Sequence, residues 1–199
     1  MASDAEPDET ATWMLAKTGD RAAFGAVFDR HFDRVLRHAL GLMRSEQDAE
    51  DVAALVFLEA WRLRERVRVV DGTVLPWLLV TATHVSQNAA RTHRRHRIAL
   101  AKLPLDDRVD DHADAVLTGI GDVDRHTKLR DGFRRLSKND QDVLTLCVVN
   151  DYSLQAAADT LGVPVGTVKS RLSRAKERLA ARTGLRPSDD STLILGGQK

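Results

Sequence analysis

The sequence predicts an all-α protein, built as two small helical domains joined by an acidic flexible linker. Three observations carry that prediction. Apolar residues recur at intervals of three and four through most of the chain, which lines one face of a helix, and no stretch alternates convincingly as a half-buried strand does. Composition changes near residue 98, where Asp106, Asp107, Asp110, Asp111, Asp114, Asp122 and Asp124 crowd a segment with Pro104, Gly119 and Gly121. Finally, LGVPVGTVKSRLSRAKERL (161–179) follows a second short apolar-faced segment across a glycine, the pattern of two helices joined by a tight turn. The predicted divisions are 1–19, disordered or partly helical; 20–97, a first domain; 98–125, the linker; 126–182, a second domain; and 183–199, a flexible tail.

In the first long helix, Phe24, Phe28, Phe32, Val35, Ala39 and Leu42 share one face. Ser45 caps the next, EQDAEDVAALVFLEAWRL, which is apolar on two sides. Ala49, Val52, Ala53, Val56, Ala60 and Leu63 make one stripe; Ala54, Phe57, Leu58 and Trp61 make another nearly opposite, beside Leu55. A helix apolar on both sides is central in its domain or covered by a partner. Three helices hardly enclose it, so the second stripe reads as a partner surface rimmed by Asp48, Glu50 and Asp51. The competing reading makes these carboxylates metal ligands, as in a nuclease. Against it, Asp48 and Asp51 share a face while Glu50 points elsewhere, and acids at a helix start favour the dipole anyway.

Pro76 opens a third helix, with Leu78, Ala82, Val85 and Ala89 on its core side. Trp77, Thr81, His84, Asn88, Arg91 and Arg95 line a neighbouring face, with Arg94 and Arg97 alongside. An aromatic, polar donors and guanidiniums in one stripe suit single-stranded nucleic acid, which is held by stacking, edge hydrogen bonds and phosphate contacts. His93 and His96 stand three apart, but no Cys or acidic partner beside them completes a metal site.

The second domain begins with TKLRDGFRRL and a helix capped by Ser137. Ser153 caps SLQAAADTL, whose buried side is Leu154, Ala157, Ala158 and Leu161; Gly162 is placed for a left-handed C-cap, and Pro164 for the first turn of the next helix. There Val165, Val168, Leu172, Ala175 and Leu179 form the core stripe. Gly166, Ser170, Ser173 and Arg174 face away, with Thr167, Lys169 and Arg171 beside them. This helix suits a major groove: Ser hydroxyls and the Arg174 fork read base edges, while Lys169 and Arg171 hold phosphates.

The net charge is +1, so any DNA contact is local and a generally basic coat protein is excluded. No apolar run approaches the roughly 18 residues of a membrane span, and the acidic start MASDAEPDETATW is unlike a secretory signal. The single cysteine, Cys147, fits a reducing cytosol and excludes an internal disulfide.

Together these segments resemble an extracytoplasmic-function (group 4) RNA polymerase sigma factor of the sigma-70 family, over about residues 20–182. DAEDVAALVFLEAW is similar to region 2.1–2.2, LPWLLVTATHVSQNAARTHRR to region 2.3–2.4, and LSKNDQDVLTL with LGVPVGTVKSRLSRAKERL to region 4. The resemblance implies two helical domains. The first would dock on the clamp helices of the polymerase largest subunit through Asp48, Asp51, Ala54, Leu55, Leu58 and Trp61. It would recognise and melt the minus-10 element with Trp77, Thr81, His84, Asn88, Arg91, Arg94 and Arg95. The second would bind the polymerase flap, and the minus-35 element through Thr167, Lys169, Ser170, Arg171, Ser173 and Arg174. The acidic linker would enter the RNA channel. Core RNA polymerase, promoter DNA and an anti-sigma factor are the implied partners. A cytoplasmic location, no membrane insertion, no cofactor and no catalytic residue are implied with them. The family often has Asn where His84 stands and Asp where Asn88 stands, which bears on the melted base. A polar residue, often Gln, is usual at Ala54 or Leu55, so the docking face here is more apolar. The alternative is a dimeric helix-turn-helix regulator of the response-regulator type. It predicts an α/β N-terminal domain, and this half lacks strands.

Overall fold

The computed structural model describes residues 9–100 and 120–184. Its helices are α1 (Thr10–Lys17), α2 (Arg21–Leu42), α3 (Glu46–Arg62), α4 (Leu75–Leu100), α5 (Ile120–Arg134), α6 (Lys138–Leu144), α7 (Leu154–Leu161) and α8 (Val165–Thr183). α6 runs on into a π-helical turn, Thr145–Val149. Among the described residues the strand-type pairing is one isolated bridge, between Val70 and Thr73. The helix starts follow local chemistry. Asp20 accepts from the Ala22 and Ala23 amides, Ser45 from Asp48, Ser137 from Asp140 and Ser153 from Ala156. Each such cap contributes about 1 kcal/mol over alanine.

α1–α4 enclose the first core, centred on Val27, Val35, Ala39, Val52, Val56, Leu75 and Leu78. The acidic start contributes more than expected: α1 buries Trp13 and Ala16 completely in this core. The second apolar stripe of α3 divides. Phe57 turns inward, its ring centroid 4.7 Å from Phe28, whereas Ala54, Leu55 and Leu58 remain exposed. The aromatic residues of α2 supply the pocket that draws Phe57 in.

A buried ionic socket holds α1 in place. Residues 70–73 form a two-residue hairpin turn, with Asp71 and Gly72 both at positive φ (50° and 76°), as a type I′ turn requires. Gly72 supplies that conformation without a Cβ penalty. The turn's carbonyl at Gly72 accepts from the Glu9 amide at 2.9 Å. The Glu9 carboxylate, 1 % exposed, accepts from His31 Nε2 at 2.7 Å, Thr73 Oγ1 at 2.9 Å and the Val74 amide. Burial alone would raise its pKa, but the His31 hydrogen bond, the Val74 amide, the His31 charge and the Thr73 hydroxyl outweigh it. The carboxyl therefore sits below the ordinary value and stays ionised.

The second core gathers Leu129, Phe133, Leu136, Val143, Leu144, Leu146, Ala157, Val168, Ala175 and Leu179. A Cβ at Gly132 would lie 2.6 Å from the Thr183 methyl, so this glycine lets α5 approach the end of α8. α8 is tied to α6 by Arg178, which donates twice to the buried Asp140, at 2.9 and 2.7 Å. Helix covers both ends of the span read as a linker, since α4 continues to Leu100 and α5 starts at Ile120. Residues 101–119 and the tail 185–199 lie outside the described residues.

Candidate nucleic-acid interface

The helix-turn-helix forms as its local signals dictate. Gly162 adopts the left-handed conformation at φ 67°, and Ser153 caps α7. Pro164 stands at the N-cap of α8 rather than inside its first turn, where its fixed φ still directs the chain into the helix. Val168, Ala175 and Leu179 are buried, while Val165 and Leu172 are half-buried. This fixes the rotation of α8 and leaves Lys169, Ser170, Ser173 and Arg174 exposed, with Thr167 and Arg171 half-buried at the edges. Ser170 Oγ donates to the Thr167 carbonyl at 3.0 Å, Arg174 Nε donates to the Ser170 carbonyl at 3.1 Å, and Ser173 reaches Glu177 at 3.4 Å. With Nε engaged, Arg174 keeps its terminal amines for a base edge or a phosphate.

On α4 the predicted stripe is graded. Trp77, Thr81 and His84 are half-buried, whereas Asn88, Arg91 and Arg95 are exposed. Trp77 packs on the first core, and Arg91 reaches the Gln87 side chain at 3.4 Å. Arg94, Arg97, His93 and His96 lie outside the described side chains. On α3, Leu58 is 60 % and Leu55 47 % exposed, flanked by exposed Ala54 and Asp51. Asp48 and Trp61 are half-buried, and the Arg64 guanidinium lies 4.7 Å over the Trp61 ring. Sequence alone separated the exposed apolar pair from the core poorly, because Phe57 belongs to the same helical stripe.

The two domains pack together, and the seam runs along α4. Leu42 and Val80 of the first domain are buried in the second core. Beneath them a hydroxyl relay crosses the boundary. Thr83 Oγ1 donates to the Leu79 carbonyl at 3.1 Å and is 2.9 Å from His38 Nε2 and 3.0 Å from Thr145 Oγ1. Burial pushes His38 down to about 4, so it is neutral in this relay at physiological pH. At the edge, His84 Nε2 meets the Asp142 carboxylate at 2.7 Å. Arg68 donates to the Asp159 carbonyl at 3.1 Å, beside Gly162, and Arg134 donates to the Leu42 carbonyl. Arg44 pairs with Asp131 at 3.6 Å. Burial, and then the neighbouring guanidiniums, lower the pKa of Arg130 and Arg134, although Asp131 opposes this. None of the contacts between the domains was legible in the sequence, because each joins residues dozens of positions apart.

Among the described residues no group of acidic, His and Cys side chains is arranged to hold a metal ion, and no helix is long and apolar enough to cross a membrane. Cys147 is half-buried. Burial raises its thiol pKa, and the nearby Lys176, a basic neighbour not foreseen from sequence, lowers it by less.

Comparison with known proteins adds the following. Residues 27–96 match the family described as Sigma-70 region 2, and residues 126–179 match Sigma-70, region 4. The ECF RNA polymerase sigma factor SigE of Mycolicibacterium smegmatis is 31 % identical over 180 residues, covering 87 % of this chain and 68 % of that protein. SigM of Mycobacterium tuberculosis, another ECF RNA polymerase sigma factor, is 32 % identical over 168 residues, covering 83 % and 80 %. The solved structure of CnrH in complex with the cytosolic domain of CnrY superposes with a TM-score of 0.54 at 23 % identity, covering 87 % of this chain and 95 % of that one, a likeness of fold.

Proposed function

This chain belongs to the sigma-70 family, as an extracytoplasmic-function RNA polymerase sigma factor that directs core RNA polymerase to promoter DNA, and on that premise we propose how its residues divide the work. α3 docks on the polymerase through Leu55, Leu58 and Ala54, with Trp61 at the edge and Asp48 and Asp51 as the charged rim. α4 takes the melted minus-10 strand along Trp77, Thr81, His84, Asn88, Arg91 and Arg95, continued by Arg94. α8 reads the minus-35 duplex: Ser170, Ser173 and Arg174 face base edges, and Thr167, Lys169 and Arg171 hold the backbone. The domains divide as 9–100 and 120–184, joined by the acidic segment between them. The observation that supports the reading best is the exposed Ser170–Arg174 face on a helix whose opposite side is locked by Val168, Ala175 and Leu179.

The chain works in the cytoplasm and has no catalytic role of its own, since the polymerase carries the nucleotidyl-transfer site. An anti-sigma protein is the restraining partner proposed on the family resemblance. The response-regulator alternative loses its support, because the N-terminal half is helical and carries a sigma region 2 match.

Selection of promoter fragments by core polymerase with the chain tests the proposal. With wild type, two separated sequence elements are enriched. Arg174→Ala relaxes the preference at one position of the upstream element, costing about 1–3 kcal/mol there. Lys169→Ala weakens all sequences alike and flattens the salt dependence. An unchanged upstream preference with Arg174→Ala would remove that residue from the reading face.

A further inference from the structure

The second domain opens on a run of positive charge that the proposed DNA contacts do not use. Residues 125–138, RHTKLRDGFRRLSK, hold six Lys and Arg against one carboxylate, Asp131, in a chain whose net charge is +1. Helical spacing along α5 puts Thr127 and Asp131 on one line, continued by Arg135, with Lys128 and Gly132 beside it. Gly132 lets the last turn of α8 come close, since a Cβ there would lie 2.6 Å from the Thr183 methyl. Between the two helices is a cleft of about 290 Å³, and Thr127, Lys128, Asp131, Arg135, Arg182 and Thr183 line it. Arg135 and Arg182 are exposed, and neither guanidinium has a hydrogen-bond or ion-pair partner among the described residues. The one carboxylate at the cleft, Asp131, is paired with Arg44 at 3.6 Å. A cation at the end of a helix offsets the macrodipole, which accounts for Arg182 in the last turn of α8. The dipole does not require Lys128 and Arg135 to line the same cleft. Like charges so placed repel one another, and an anion between them offsets that cost.

We propose that this cleft binds a small anion carrying a diphosphate group, held by Arg135, Arg182 and Lys128 with the Thr127 hydroxyl as a further donor. A guanidinium presents a planar fork that matches two phosphate oxygens, so Arg135 and Arg182 set the orientation and Lys128 adds a point charge. Thr183 Oγ1 already donates to the Leu179 carbonyl at 2.9 Å, so this residue shapes the wall. The volume is at the low end of small-ligand sites, which suits a diphosphate better than a run of acidic side chains from a protein partner. Arg182 stands eight residues beyond Arg174, about 12 Å along α8, so the cleft is separate from the proposed base-reading face. Every lining side chain belongs to the second domain, and the site depends neither on how the two domains pack nor on which residues contact DNA.

Titration calorimetry of the full-length chain tests the site, with inorganic pyrophosphate as the probe at about 0.15 M ionic strength, where loose surface attraction is screened. Saturable binding at a single site is expected. Arg135→Ala combined with Arg182→Ala should weaken it about tenfold by removing charge-assisted contacts. Helical circular dichroism should be unchanged, because both side chains are exposed. Arg135→Lys combined with Arg182→Lys keeps the charge and loses the forks, so its affinity should fall between the two. Lys169→Ala combined with Arg174→Ala, nearer the start of α8, should bind as the parent chain does. ADP and AMP separate the sources of the ligand. ADP binding as tightly as pyrophosphate, with AMP failing to bind, makes it a nucleoside diphosphate; binding of pyrophosphate without ADP makes it the free anion. No saturable heat with pyrophosphate below about 1 mM would overturn the proposal. So would lysine variants that bind as the parent does, or an equal loss with the Lys169 and Arg174 substitutions, since either reduces the effect to net charge. Tighter binding of a hexaglutamate peptide than of pyrophosphate would overturn it too, and would make the patch a surface for an acidic protein.

Discussion

Leu58→Glu is expected to weaken binding to core RNA polymerase about a hundredfold while leaving the chain folded. Leu58 is 60 % exposed and its neighbour Leu55 47 %, so neither supports the domain's own core to any large extent. A leucine buried at the centre of an interface is worth about 2–3 kcal/mol, and a carboxylate in its place adds an unpaired charge to the desolvated patch. Asp51→Arg, at the rim, should act less on the lifetime of the complex and more on its formation rate and salt dependence. Surface-immobilised core polymerase with each variant in solution gives both quantities. Wild-type affinity in Leu58→Glu would return that face to solvent.

The second large effect is on folding. Glu9→Ala is expected to cost about 3–5 kcal/mol, because it leaves His31, the Thr73 hydroxyl and the Val74 amide buried around a vacated carboxylate. For a small domain whose whole stability is about 5–15 kcal/mol, that is enough to release α1 and expose Trp13. The pH dependence has a definite sign. The folded-state pKa of Glu9 lies below its ordinary value of 4.5, so its contribution is complete above about pH 4.5 and is lost as pH falls through the lower folded value. Tryptophan fluorescence during urea unfolding at several pH values checks both points. Glu9→Gln should be less stable at neutral pH and show a shallower loss in acid. Equal midpoints for Glu9→Ala and wild type would mean that the socket contributes little.

The contrast between the Glu9 socket and the helix-turn-helix shows where sequence reading succeeds. Ser153, Gly162, Pro164 and the Val168–Ala175–Leu179 stripe act within one or two turns, so their signals are local, and the exposed face of α8 follows from them. The family resemblance was carried by the same kind of short, ordered signal. The socket joins Glu9 to His31 and to residues 73–74, and no periodicity connects those positions. The acidic residues that precede α1 also concealed Trp13 and Ala16, although the helix itself, TATWMLAK, carries Lys17 as its one charged side chain. The Asp71–Gly72 turn was legible in principle, as an Asp-Gly pair between apolar residues. His31 and His38 stand at core positions of α2 but read as polar, so their burial needed the partners Glu9 and Thr83 to be known. The seam was the least legible part: Val80 and Thr83 look like ordinary core residues of α4, and only tertiary structure shows that their neighbours belong to the other domain.

The central claim is that one chain supplies both polymerase docking and promoter recognition. Its most direct test is permanganate footprinting of promoter fragments taken from the selection experiment, with core polymerase alone and with the chain added. Unpaired thymines are expected near the downstream element only when the chain is present. Reactivity should fall severalfold with Trp77→Ala or Asn88→Ala, although the upstream duplex is still protected. Strand opening by core polymerase alone, or none when the two are combined on any selected fragment, would contradict the account.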